Sequence, residues 1–391
     1  MSGHASTRIL SRATVAFAMV LAVAEFPTGP VRAASQNIAW CENIDDLTSL
    51  DLAIRGCTAL IRSGKQSRDN LAVAFNNRCI WYYRKGDYDR GMADCNEAIR
   101  LKPGLAEAFL HRGNVYAKKR DYDRSIADYN EAIRLKPGYA EPFNNRASVY
   151  VTKGEIDRAI ADFDEAIRLD PKVRYYKNRG RAYYDKQAYD RSVADYNEAI
   201  RLDRNDAEAH FQRATAYFAK TDYDRAIADF NEAIRLDPKN ARAYYVRGYT
   251  YSSKGDIDRA IADYNEAIML DPTNSIYLNS RCWVRARTGR NLRQALFDCT
   301  ESLRLKPNYA IAMDSRGLVN LRLNHLHDAI ADYDAALKID PRRSFSLYGR
   351  GIAKLRKGET AAGQADLVAA KAVQANIAEE FAKYGIKPDR E

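Results

Sequence analysis

Apolar and small residues recur at helical spacing twice within residues 106–139, AEAFLHRGNVYAKKRDYDRSIADYNEAIRLKPGY. Phe109, Gly113 and Tyr116 share one face at i, i+4, i+7, and Ser125, Tyr129 and Ala132 share another. The spacing predicts two helices. Asp121 stands where the second begins, a residue type whose carboxylate accepts an otherwise unmet N–H of the first turn. Pro137 ends that helix, since the residue before a proline is pushed out of the α region. The second half returns as RGMADCNEAIRLKP, RAIADFDEAIRLDP, RSVADYNEAIRLD, RAIADFNEAIRLDP and RAIADYNEAIMLDP. The closing prolines are Pro103, Pro137, Pro171, Pro238, Pro272, Pro307 and Pro341; the first three are each 34 apart, as are Pro238 and Pro272. A fixed period of that size signals a solenoid of helical hairpins, each burying its apolar face only against its neighbours.

With Ala106 as position 1, the unit has an aromatic at 4, Gly at 8, Tyr at 11, a small residue at 20, an aromatic at 24, Ala at 27 and Pro at 32. This resembles the tetratricopeptide repeat. The resemblance implies an all-α fold, a right-handed α-solenoid of about ten helix–turn–helix repeats. In register the units run near 34–71, 72–105, 106–139, 140–172, 173–206, 207–240, 241–274, 275–309, 310–343 and 344–391, the first and last degenerate. A polar segment, 63–70, joins the first unit to the second. No Gly/Ser-rich or Pro-rich linker interrupts the rest, so residues 34–391 read as a single superhelix. From Thr360 to Tyr384 the chain is Ala-rich with Leu367, Ala370, Val373, Ile377 and Phe381 on one stripe, a capping helix stopped by Gly385.

Residues 1–33 follow another logic. Arg8 and Arg12 lie in a basic start, an apolar run extends from Ala13 to about Ala24, and Val31-Arg32-Ala33 offers small residues for cleavage after Ala33 or Ala34. This reads as a secretory signal peptide, too short in its apolar part to span a bilayer. The predicted location is periplasmic or extracellular.

The six cysteines, Cys41, Cys57, Cys79, Cys95, Cys282 and Cys299, occupy positions 8 and 24 of three units and no other place. Elsewhere position 8 is small and position 24 is aromatic or Leu. In an antiparallel hairpin these positions lie level, and helices packed about 8–10 Å apart bring their Cα atoms within disulfide range. The pairs Cys41–Cys57, Cys79–Cys95 and Cys282–Cys299 are therefore predicted to bridge, in keeping with export.

Position 7, usually Leu in the family, is Arg here: Arg78, Arg112, Arg146, Arg179, Arg213, Arg247, Arg281, Arg316 and Arg350. Position 23 is Asp in the same nine units: Asp94, Asp128, Asp162, Asp195, Asp229, Asp263, Asp298, Asp332 and Asp366. The two positions lie level across the hairpin. An internal ion-pair ladder is predicted over a polyanion track. Arg at 19 and 29 is expected to pair along the second helix with Asp at 23 and Glu at 26. Formal net charge is +10, and +8 once Arg8, Arg12, Arg32 and Glu25 are removed; spread over ten units it favours acidic partners only weakly.

The resemblance places partner binding on first-helix positions 2, 5, 9 and 12. The most distinctive of these are Arg174, Lys177, Arg181, Tyr184, Phe211, Phe218, Arg242, Tyr245 and Tyr249, cations beside aromatics that suit an extended acidic or aromatic peptide. Packing between repeats is the other reading of this cluster. A carboxylate clamp of the chaperone-adaptor type is matched in part, by Asn114, Asn145 and Arg174, with Leu110 and Asn178 where cations should stand. No HExxH, GxSxG, P-loop or dinucleotide glycine pattern occurs. His325 and His327 read as a solvated turn, and His111 and His210 as groove lining or packing. The sequence thus points to a non-enzymatic interaction scaffold without cofactor or metal, binding a protein or peptide. A cell-envelope structural protein and an RNA-binding helical repeat are the alternatives.

Overall fold

In a computed structural model, which describes residues 30–42 and 49–388, the described residues form 21 helices and no strand. The signal-peptide reading lies outside them except for residues 30–33, which open the first helix. The chain divides into two units, one ending at Pro137 and one beginning at Gly138. The first contains the hairpins α1 (Pro30–Glu42) with α2 (Leu50–Arg62), α3 (Arg68–Lys85) with α4 (Tyr88–Leu101) and α5 (Ala106–Lys118) with α6 (Tyr122–Leu135). The second contains α7 (Ala140–Thr152) with α8 (Ile156–Leu169), α9 (Val173–Asp185) with α10 (Tyr189–Leu202) and α11 (Ala207–Ala219) with α12 (Tyr223–Leu236). It continues with α13 (Ala241–Lys254) and α14 (Ile257–Leu270), α15 (Ser275–Thr288) and α16 (Leu292–Leu305), α17 (Ala310–Arg322) and α18 (Leu326–Ile339), and α19 (Ser344–Lys357) and α20 (Thr360–Val373). A last short helix, α21 (Ile377–Lys383), follows.

Each hairpin from α3 onward places a residue of left-handed backbone at position 15, Gly86, Arg120, Gly154, Gln187, Thr221, Gly255, Gly289, Asn324 and Gly358, and the turn with the extra residue adds a second, Asn291. In several hairpins the second helix then starts on an Asp cap; Asp87, Asp121, Asp222 and Asp256 accept the N–H three residues on. The same carboxylates take the side chains of Arg90, Arg124, Arg225 and Arg259. This corrects the expected partner of Arg at 19, because Asp at 23 is already held by Arg at 7. The pairing of positions 29 and 26 stands as expected, Arg134 lying 2.6 Å from Glu131.

Two boundaries differ from the sequence reading. The first two hairpins are joined by a shorter segment than 63–70, since α3 begins at Arg68. The Ser67 hydroxyl caps it, accepting the Asn70 N–H at 3.2 Å. The capping helix is broken rather than continuous: Gln374 is extended, with φ −142° and ψ 104°, and Val373 is 40% exposed. The break lets Ile377, Phe381 and Ile386 bury themselves, which a straight continuation of α20 would not allow. Phe381 packs on Phe345 and Tyr348 of α19. Gly385, at φ 70°, stops α21 as expected, and the Ile386 N–H returns to the Phe381 carbonyl.

The hairpin core explains the alternation at positions 8 and 24. A Cβ added to Gly113 would meet the Tyr129 ring at 2.7 Å, and one on Gly317 would meet Tyr333 at 2.8 Å. Where both positions are Cys, the sulfurs are bonded in all three pairs: Cys41–Cys57, Cys79–Cys95 and Cys282–Cys299, with Cα separations of 4.7, 5.5 and 5.5 Å. Glycine beside a large ring and cysteine beside cysteine are two ways to fill one space at interior density.

Candidate functional site

The arginines at position 7 turn inward on their own hairpins. In all nine, the guanidinium meets the Asp at position 23 at 2.6–2.8 Å, from Arg78–Asp94 to Arg350–Asp366. Most grip the carboxylate with Nε and Nη2 together, as Arg247 does Asp263. The remaining Nη1 reaches the preceding hairpin: Arg112 to Asn96, Arg213 to Asn197, Arg247 to Asn231 and Arg281 to Asn265. The ladder therefore braces each of these hairpins and, at these four arginines, ties it to the hairpin before it. Burial pushes the Asp128, Asp195 and Asp332 carboxyls up in spite of their guanidinium partners. Asp298 holds a second cation, Arg285, which burial pushes down.

The central cluster of cations and aromatics is largely engaged within the protein. Arg174 lies over the Tyr175 ring and pairs with Glu141, Lys177 pairs with Asp206 at 2.7 Å, and Arg181 pairs with Asp185 at 2.9 Å. Tyr184 packs on Tyr189, and Phe218 on Tyr223 and Tyr249. Phe211 is a correction: at 2% exposure it is core, edge-on to Phe230 with Arg242 over its other face. Phe211 clusters with Ala214, Ala226, Phe230 and Ala233 of its own hairpin and with Ala243 of the next, small residues that leave room for its ring. Of the clamp residues, Asn114 accepts the Tyr129 hydroxyl and Asn145 accepts from Asn144. His111 contacts Asn76 at 2.8 Å, and His210 is buried near Asp229.

Two of the nine, Tyr245 and Tyr249, instead line a cavity of about 540 Å³ that opens further along the chain. Four successive first helices build it. α13 gives these tyrosines, α15 gives Ile276, Asn279, Trp283 and Arg287, α17 gives Ile311, Asp314 and Ser315, and α19 gives Phe345. Tyr309 and Arg343, each just ahead of a helix, complete it. Repeat register puts these side chains on one face, chiefly positions 2, 5 and 9. Sequence reading missed Asn279, Trp283, Arg287 and Tyr309. The available signal was a departure from consensus: the unit at Ser275 carries Asn and Trp at positions 5 and 9.

The wall is rigid. Trp283 is held edge-on by Phe345 and by Tyr384, and Tyr245 packs on Tyr264 and Tyr277. Asp314 is buried; it accepts Arg343 Nε at 3.0 Å and the Ser346 hydroxyl, and burial raises its carboxyl. Arg287 donates to the Ser252 carbonyl at 2.9 Å and hydroxyl at 2.7 Å, both neutral. The rim is apolar, with Tyr249, Ile276 and Ile311 exposed at 49, 42 and 50%.

Repeated helical hairpins with their first helices lining a concavity define a helical-repeat protein. Tetratricopeptide-repeat family models match residues 140–173 and 211–275, and TPR-repeat models match 113–154 and 180–220. The chain is a tetratricopeptide-repeat protein. Similar solved structures include YrrB, described as a TPR protein with an unusual peptide-binding site, at 23% identity; it covers 48% of this chain and 97% of that one, with a TM-score of 0.42. A tetratricopeptide-repeat protein of Parabacteroides merdae shares 18% identity over 63% of this chain and 98% of its own, with a TM-score of 0.48. The pilF protein of Pseudomonas aeruginosa shares 18% over 54% and 97%, with a TM-score of 0.49. No curated protein sequence matches the chain.

Proposed function

We propose that this chain is an exported, non-enzymatic scaffold that binds a partner protein or extended peptide on the inner face of its first helices. The observation that carries this reading is the cavity: four successive first helices contribute aromatic side chains and hydrogen-bonding groups to one open concavity. Repeat scaffolds use such concave surfaces for recognition. Export is supported by the basic and apolar start of the sequence and by three bridged cysteine pairs, which persist in oxidising compartments. Among the described residues, no helix is long and apolar enough to cross a membrane. The periplasm or the extracellular space is the place proposed.

Crosslinking in the native compartment, read by mass spectrometry, tests this. Crosslinks from a partner are expected on first-helix residues such as Tyr249, Ile276 and Ile311. Crosslinks confined to second helices would overturn groove binding. A mature N-terminus other than one near Ala34 would count against the export signal.

A further inference from the structure

We propose that the edge formed by the last three hairpin turns docks on an anionic phospholipid surface. The site lies on the turns rather than on the inner face of the first helices, and it does not rest on groove binding. The first observation is a change in charge along the chain. The four turns from α7–α8 to α13–α14 each carry two cations and two carboxylates over positions 13–19, as in Lys254, Asp256, Asp258 and Arg259. Positions 14 and 18 join one turn to the next: Lys186 to Asp157, Lys220 to Asp190 and Lys254 to Asp224. These pairs line the turns up along one edge and neutralise it. The last of them is Arg290 to Asp258, at 2.8 Å.

Beyond α14 the carboxylates stop. Position 18 becomes Arg293, His327 and Ala361, and position 13 becomes Arg287, Arg322 and Arg356. The last three turns hold six cations against two carboxylates, Asp328 and Glu359. Glu359 is taken by Lys357 at 2.6 Å. Arg293 is exposed and, among the described residues, has no ion-pair partner. Arg287 donates to Ser252, and Arg322 donates to the Arg287 carbonyl at 2.9 Å and to the Tyr384 carbonyl. Those contacts brace the turns against one another, but their acceptors are neutral, so the charge remains. Burial and the neighbouring Arg356 push the Arg322 guanidinium down, as crowded like charges do.

The second observation is what surrounds these cations. Five of the six are arginines, whose planar fork matches phosphate oxygens. They are strung along the edge of three hairpins, about 8–10 Å from one packed helix to the next, which suits an array of anions rather than a single ion. Leu292, Leu323 and Leu326 stand half-buried among them, apolar surface that an interfacial region accepts. The three turns contain no Phe, Tyr or Trp on which bases could stack, so a polynucleotide fits them less well.

The test sediments the disulfide-bonded mature chain with vesicles of equal parts phosphatidylglycerol and phosphatidylcholine, and with vesicles of phosphatidylcholine alone. Binding is expected to the first only, and it should be lost at about 0.5 M salt, where the attraction is screened. A variant combining Asn291→Asp, Arg293→Asp, His325→Asp and His327→Asp restores the carboxylates that earlier turns carry at positions 16 and 18. It should bind about a hundredfold more weakly, at about fivefold for each unit of charge near the surface. Lys239→Glu with Arg342→Glu, on connections at the other end of the hairpins, should leave binding unchanged. Circular dichroism checks that both variants fold, and the lipid and salt comparisons in the unaltered chain need no variant. Equal binding to phosphatidylcholine alone overturns the proposal, as does no binding to either vesicle or full binding by the fourfold variant. Displacement from vesicles by a stoichiometric single-stranded oligonucleotide, or by polyglutamate, overturns it in favour of a polynucleotide or an acidic protein. None of these outcomes bears on partner binding in the groove.

Discussion

Single residues carry costs that the repeat pattern hides. Thr221 holds the left-handed turn position at φ 60° with a β-branched side chain, where five other hairpins place glycine. Left-handed backbone costs a non-glycine residue about 1–2 kcal/mol. Thr221→Gly is expected to raise stability by about 1 kcal/mol, read as a higher urea midpoint, whereas Gly154→Thr should lower it by a similar amount. His111 carries a pH dependence. Burial, aided by Arg84 and opposed by Glu107, lowers its imidazole to about 4 from 6.5. The folded state thus disfavours the charged ring, so the stability is present above pH 6.5 and is lost as pH falls toward 4. The loss is at most about 3 kcal/mol, because the ring keeps some exposure. His111→Gln keeps the contact to Asn76 and should flatten that stretch of a stability-against-pH curve measured by urea unfolding.

At the scale of the helix pair, the brace is an ion pair rather than a hydrophobic seam. The position-7 arginine replaces the usual Leu, and at Arg247 its fork spends two donors on its own hairpin and one on the preceding one. Such a pair adds little net stability, because desolvation offsets attraction, but losing one partner leaves a buried charge. Asp263→Ala is expected to cost about 3–5 kcal/mol, while the double change Arg247→Met with Asp263→Leu should recover most of it. Equal losses in the single and double variants would mean that the ladder stabilises outright. The period of 34 and the Asp caps made the hairpins legible from sequence down to single residues. The break at Gln374 was not legible, since alanine-rich sequence runs as helix with or without it. It is decided by the burial that Phe381 gains on Phe345 and Tyr348.

At the scale of the whole molecule, stability in a repeat chain is close to a sum of local terms. The bridges are unevenly placed: two lie in the unit ending at Pro137 and one in the other. Each closes a short loop and contributes up to about 3 kcal/mol in the chain-entropy model. Reduction should therefore accelerate hydrogen exchange in α1–α4 and α15–α16 and leave α8–α12 unchanged. Uniform acceleration across the chain would mean that the hairpins unfold as one body. Among the cations of the central cluster, Arg174, Lys177 and Arg181 are each paired within the protein.

The sequence by itself determined the hairpin, its period, its caps, the cysteine pairs and the arginine–aspartate ladder. All of these arise between residues close in the repeat, where helical spacing alone decides who faces whom. Only the tertiary structure decided which inner-face residues are spent and which are free. Phe211 at position 5 and Tyr249 at position 9 were both read as inner-face residues, yet one is core and the other is half exposed. Phe211 is enclosed by Phe230 and the alanines of its own hairpin together with Ala243 of the next, an arrangement that helical spacing alone does not reveal. The cavity beside Trp283 is likewise a product of packing: the first helices of four successive hairpins leave a space that none of them fills.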